Sequence, residues 1–157
     1  LCTGGTSRGR RDFLRGAVER LSGSWIVESV AVRPGHPMML ATVEGTPVVG
    51  LPGNPLSALA AMMTLIAPMI RTWLAVSGDV PCDVRVATKQ EPSPKATTRL
   101  MVGRRERGEF QEVSYVSSAM LRGIAYADGW AVIPPEGVAA GDSVEWLPVP
   151  WLRRTSV

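Results

Sequence analysis

Three short segments carry the residue types that could do chemistry. The first, "TGGTSRGRRDF" at residues 3–13, places adjacent glycines, two hydroxyls and a carboxylate ahead of a helical pattern. Glycines Gly4, Gly5 and Gly9 allow successive backbone N–H groups to converge, and the start of the following helix favours an anion. Thr6 and Ser7 add hydroxyl donors. The spacing matches neither GxxxxGK[ST] nor GxGxxG, so composition alone leaves the segment open between a phosphate cradle and a tight strand-to-helix turn. Asp12 is open in the same way: it can cap the helix, or it can face the site and handle a metal ion or an oxyanion.

The second segment, "RPGHP" at residues 33–37, presents Arg33 and His36 from a turn stiffened by Pro34 and Pro37 around Gly35. Two cations on one stiff turn suit an anionic ligand, whereas a lone histidine is commonly structural. The third, "GLPGNPLSA" at residues 50–58, is again a strand end, a glycine turn and a helix start. Asn54 can cap that helix, and Pro55 at its first position loses no hydrogen bond. Pro52, Gly53 and Ser57 complete the turn, and capping alone would account for all five residues. In an open α/β sheet such turns gather along the carboxyl edge of the strands. Two helix starts and a basic turn on one edge would make a pocket for a multiply anionic molecule.

The elements that must position these segments follow from periodicity. Phe13, Leu14, Ala17, Val18 and Leu21 have helical spacing after Asp12, and Gly23 is expected to end that helix. "WIVESVAV" reads as a strand, and "MMLATVEGTPVVGL" as a hairpin turning at Glu44-Gly45. A long helix is expected from Pro55 onward, and Arg71 is its one charge between residues 56 and 76. Such a run could span a bilayer, but Pro68 and the small and hydroxyl residues favour burial between the sheet and a neighbouring domain. Beyond "SGDVP" short strands alternate with glycine and proline turns, the pattern of a small β-barrel or sandwich. The expected division is an α/β domain over residues 1–78 and a β domain over residues 79–157.

Composition narrows the partners. A hydrophobic fraction of 45% over 157 residues can supply a core for one ordinary domain or two small ones. The net charge of +3 comes from 17 basic against 14 acidic residues without a polybasic run, so neither nucleic acid nor membrane is an expected partner. The clustered arginines, Arg8, Arg10, Arg11 and Arg15 early and Arg104, Arg105 and Arg107 later, suit bidentate anion contacts or a solvated helix face and a hairpin tip. Cys2 and Cys82 stand apart and His36 is the one histidine, which argues against structural zinc and fits a reducing cytoplasm. Leu1 falls inside an apparent strand end, so the chain is expected to be a piece of a longer protein.

The ordered set "TGGTSRGRRD", "VRPGHPMML", "VVGLPGNPLSA" and "SAMLRGIAYADGWAVIPPEGVAAGDSVEWLPV" resembles the molybdopterin molybdenumtransferase family, of the MoeA and gephyrin E-domain type, over nearly the whole chain. The resemblance implies part of a three-layer α/β domain similar to molybdopterin adenylyltransferases, followed by a small all-β, barrel-like domain. It implies insertion of molybdate into adenylylated molybdopterin with release of AMP, Mg2+ as cofactor, and a cytoplasmic homodimer. Gly4, Gly5, Ser7 and Gly9 match the family's glycine-serine loop, Asp12 its acidic residue, and Pro52–Pro55 with Ser57 its PGNPxS turn. Asp12 thereby becomes the candidate catalytic acid and metal ligand. Arg33 and His36 stand where family members often carry lysine, so His36 introduces pH dependence or a changed ligand contact. The family's upstream domains have no counterpart here, and the chain is expected to lack turnover by itself. The alternative is a noncatalytic module that binds molybdopterin or another phosphoryl ligand, or serves as a scaffold.

Overall fold

The structure, a computed structural model, describes residues 1–7, 9, 12–76, 82–114 and 121–149. It divides into two compact units, Leu1–Ala75 and Val76–Val157. The domain boundary expected at residues 78–81 lies outside the described residues.

In the first unit, strands β1 (Cys2–Thr3), β2 (Ser24–Val27), β4 (Met39–Val43) and β5 (Thr46–Leu51) form a mixed sheet in the order β1-β5-β4-β2. β1 runs parallel to β5, while β4 runs antiparallel to both β5 and β2. The strand expected across residues 25–32 is interrupted: β2 is irregular between Trp25 and Val27, and a separate short stretch, β3 (Val32–Arg33), follows. Glu44 and Gly45 both adopt positive φ, 49° and 75°, which gives the two-residue hairpin turn expected there its right-handed twist.

Helix α1 (Leu14–Arg20) begins later than the pattern implies. Its N-cap position is Phe13, with no side-chain capping bond, so Asp12 is not the cap. Its C-terminus is a Schellman closure: Ser22 N–H donates to Glu19 O at 3.0 Å and Gly23 N–H to Val18 O at 2.9 Å. The left-handed residue is Ser22, φ 52°. Gly23 is required for a different reason, since a Cβ there would lie 2.8 Å from Val18 Cγ1 and 2.9 Å from Thr42 O.

The long helix forms as α2 (Pro55–Ala61), a π-turn (Met62–Ile66) and α3 (Ala67–Trp73). Pro68 explains the π-turn, because it offers no N–H to Thr64 O and its ring crowds that carbonyl. The bond Ala67 N–H to Met62 O bypasses it. Burial is much less complete than the apolar sequence implies. Leu56, Ala60, Ala61 and Ile66 are buried, whereas α3 has no buried residue and Ile70 and Trp73 are exposed. The segment is long and apolar enough to cross a bilayer by length and composition, with 22% of it buried.

In the second unit, β6 (Cys82–Val86), β7 (Thr98–Glu106), β8 (Glu109–Glu112), β9 (Gly129–Ile133) and β10 (Ser143–Pro148) pair in the order β7-β8-β6-β10-β9. β9 also pairs with β7, from Arg99↔Ile133 to Gly103↔Gly129, so the sheet closes on itself as a barrel. Val84, Val86, Phe110, Ala131, Ile133, Val144 and Trp146 fill it, with the Phe110 and Trp146 rings tilted by 58° at 6.2 Å. Arg104, Arg105 and Arg107 occupy the β7–β8 hairpin, whose turn residues Arg107 and Gly108 have positive φ. The hairpin-tip reading of this arginine cluster holds, and Arg104 pairs with Glu106 at 3.3 Å.

Candidate functional site

The register of the first sheet brings the three chemically equipped segments to one edge. Thr3 pairs with Leu51 in the parallel β1–β5 ladder, so the loops that follow both strands leave from the same end. Gly4 N–H extends that ladder to Leu51 O at 2.9 Å. β4 runs the other way, and its first residue, Met39, pairs with Gly50, so the turn preceding it arrives at the same end. This is the carboxyl edge of parallel strands, where α/β sheets place ligands.

The glycine loops approach closely. Gly4 and Gly5 have φ of 77° and 70°, in the left-handed region where glycine is unstrained. A Cβ on Gly53 would lie 3.6 Å from Gly4 Cα, and one on Gly5 would lie 3.7 Å from Phe13 N. The first loop thus curls back toward the start of α1 at Gly5, while Gly4 lies close beside Gly53 of the PGNP turn. Thr6 is buried at 3% exposure, and Ser7 and Gly9 are exposed.

Asp12 has a definite local role. Its Oδ2 accepts from Gly9 N–H at 2.5 Å, and its own N–H donates to Gly9 O at 3.0 Å. The carboxylate latches the loop, and its other oxygen has no hydrogen-bond partner among the described residues. The described residues contain no group of three or more His, Cys, Asp or Glu side chains able to hold a metal ion. A magnesium ion at Asp12 would draw its remaining coordination from waters and ligand phosphate oxygens.

The PGNP turn performs as its sequence implies. Asn54 is extended, its Oδ1 accepts from Ser57 N–H at 3.2 Å, and Pro55 opens α2. Pro52 is buried and Gly53 exposed.

The third wall is the turn at Arg33–Met38. The Arg33-Pro34 peptide is cis. Gly35 is buried, and a Cβ there would meet Met38 Cε at 2.7 Å and Ala60 Cβ at 3.6 Å, which seats the turn against α2. Arg33 and His36 are exposed. His36 Nδ1 bonds Val30 O at 2.8 Å, and Val30 N–H donates to His36 O at 3.1 Å.

Arg15 is not available to a ligand: it bonds Glu28 O, pairs with the Glu28 carboxylate at 3.5 Å and lies 5.5 Å over the Trp25 ring. Its role is to tie α1 to the segment after β2. Arg8, Arg10 and Arg11 lie outside the described residues. Gly50 escaped the sequence reading, although a Cβ there would lie 2.6 Å from Leu14 Cδ2 and from Met39 Cγ and 2.7 Å from Thr6 Cγ2. Its only signal was a glycine inside an otherwise apolar strand, which marks a close approach.

Known proteins carry the same two parts in the same order. A family described as "Probable molybdopterin binding domain" matches residues 1–72, and "MoeA C-terminal region (domain IV)" matches residues 85–149. The molybdopterin molybdenumtransferase of Bacillus subtilis is 29% identical over 94% of this chain and 36% of its own length. The molybdopterin molybdenumtransferase 2 of Mycobacterium tuberculosis is 31% identical over 92% of this chain and 38% of its own. A molybdopterin biosynthesis MoeA protein structure from Pyrococcus horikoshii superposes with a TM-score of 0.70 at 25% identity, covering 87% of this chain and 34% of that one. The chain spans little more than a third of the length of these curated relatives. Two adjoining family matches, sequence similarity along nearly the whole of this chain and a shared fold lead to one assignment: the chain belongs to the MoeA family.

Proposed function

We propose that the chain supplies one wall of a site where molybdate is inserted into adenylylated molybdopterin and AMP is released. The carrying observation is the convergence of the two glycine loops and the Arg33–His36 turn on one sheet edge. The start of α2, capped by Asn54 through Ser57 N–H, adds a positive helix end to that edge. Backbone N–H groups of the glycine loops would bind phosphate oxygens. Arg33 would hold a second anionic group, and its planar fork suits bidentate contact. Asp12 keeps the first loop closed through Gly9, and its second oxygen would hold Mg2+ together with ligand phosphates; the ion would polarise the transferring oxygens. The cytoplasmic homodimer belongs to the same proposal and rests on the family resemblance.

The test is to supply the chain with adenylylated molybdopterin and molybdate, with and without Mg2+, and to measure binding and AMP release separately. Binding without release is the expected result, since the chain covers only part of its relatives' length. Molybdate-dependent AMP release by the chain alone would overturn the expectation that it needs further residues. Absence of binding would overturn the site itself. The noncatalytic alternative draws on the lack of a clustered metal-ligand set among the described residues. It predicts binding with no release even when the regions of its relatives that this chain does not span are supplied.

A further inference from the structure

The helix that begins at the PGNP turn also carries the Arg33–Met38 turn. Pro55–Trp73 runs as one helix through its π-turn, and Gly35 lies against it, where a Cβ would be 3.6 Å from Ala60 Cβ. Gly35 is buried and Ala60 is 0% exposed, so carbons added at Ala60 have no solvent side to turn to. Met38 closes the seat. Its Cε would lie 2.7 Å from a Gly35 Cβ, its own exposure is 1%, and its Sδ rests 3.8 Å from Thr64 Oγ1. Thr64 is itself held, because its hydroxyl donates to Ala60 O at 2.8 Å. From Pro55 to Ala60 is about 7.5 Å of helical rise. A single stiff element therefore spaces two walls of the candidate site.

We propose that Ala60 is a positioning residue for the site: the size of the side chain there sets how deeply the Arg33–His36 turn seats, and thereby how far it stands from the PGNP turn. The inference rests on the ligand-binding reading of this edge and concerns the geometry of its walls. Burial fixes the direction of the effect. The helix is anchored by the Asn54 cap and by buried Leu56 and Ile66, and Met38 has no room to retreat. The turn does have room, because its outer residues Arg33 and His36 are exposed. Overpacking at Ala60 is therefore relieved by lifting the turn, and a displacement of about 1 Å is enough to spoil a contact that must meet a ligand held by the other loops. Ala61 supplies the contrast. It is also 0% exposed, but it lies about 100° further round the helix and is not among the atoms nearest Gly35.

Ala60→Val and Ala61→Val separate positioning from packing. Both overfill a buried position, so both should lower the urea midpoint. Only Ala60→Val should move the amide NMR signals of Gly35, His36 and Met38 in the free chain. Only Ala60→Val should weaken binding of adenylylated molybdopterin, by about tenfold or more, the scale of one lost charge-assisted contact. Ala60→Ser is a smaller enlargement and should change the same signals and the affinity in the same direction by less; it carries the test if Ala60→Val does not fold. Ala60 variants that bind as tightly as wild type, or an Ala61→Val that weakens binding equally, overturn the positioning role. Failure of wild type itself to bind overturns the ligand-binding reading of the edge. In that case the free-chain spectra decide the seat, and signals of Gly35, His36 and Met38 that stay in place in the Ala60 variants overturn it.

Discussion

Gly50→Ala is the sharpest probe of how the site edge is assembled. The added methyl would sit 2.6 Å from Leu14 Cδ2, 2.6 Å from Met39 Cγ and 2.7 Å from Thr6 Cγ2. Comfortable carbon contacts lie near 3.5–4.0 Å, so three neighbours must each retreat by about 1 Å. They belong to three different segments: the first loop, α1 and β4. No single rotamer change relieves all three contacts. Overpacking of this kind costs about 1–3 kcal/mol, and the upper half of that range is expected because Met39 is 1% exposed and has little room. Urea unfolding followed by tryptophan fluorescence, with Trp25 reporting on this unit, should show a lower midpoint with an unchanged slope. Leu14→Ala by itself destabilises by removing a half-buried side chain, but in the Gly50→Ala background it opens space for the new methyl. The double mutant should therefore be less destabilised than the sum of the singles by about 1 kcal/mol. A neutral Gly50→Ala, or strict additivity with Leu14→Ala, would refute the packing described at this strand end.

Other outcomes follow from individual contacts. Asn54→Ala removes the acceptor for Ser57 N–H and should destabilise the first unit by about 1 kcal/mol, while Asn54→Asp should restore it, both read by urea titration. Asp12→Ala leaves Gly9 N–H without its carboxylate partner and should cost about 1 kcal/mol. Asp12→Asn retains an acceptor and should cost less than half as much; equal losses would contradict the latch. Gly103→Ala would place a methyl 2.1 Å from Phe110 Cε2 and 2.5 Å from Gln111 O. Since a backbone oxygen in a paired strand cannot retreat, a loss of about 3 kcal/mol or failure of the barrel to form is expected by near-UV circular dichroism.

Elements set by local rules were legible in advance. Asn54-Pro55 announces a helix start and Glu44-Gly45 a hairpin, because capping and positive φ depend on the residues themselves. The barrel strands were likewise marked by alternation and turn residues. What escaped depends on neighbours distant in sequence. Asp12 has the type and spacing of a cap, yet Gly9 N–H takes its carboxylate. Gly23 looks like the left-handed residue ending α1, but Ser22 takes that conformation and Gly23 serves the approach to Thr42. The helix after Pro55 reads as buried on all sides, while burial is confined to Leu56, Ala60, Ala61 and Ile66 and its last turns are exposed. The site residues were identifiable by type in all three segments. Their gathering on one strand edge was anticipated as well, but not the register behind it, in which β4 enters the sheet opposite Gly50 with the parallel β1–β5 pair beside it.

On the proposed function, the edge formed by the glycine loops and the Arg33–His36 turn binds the phosphate-bearing ligand. An amide NMR titration of the chain with adenylylated molybdopterin tests it most directly. The predicted result is a set of shifts concentrated on Gly4, Gly5, Gly53, Ser57 and His36. Shifts confined to the barrel, for example around the cavity of about 670 Å3 lined by Arg104, Gln111 and Arg122, would contradict it.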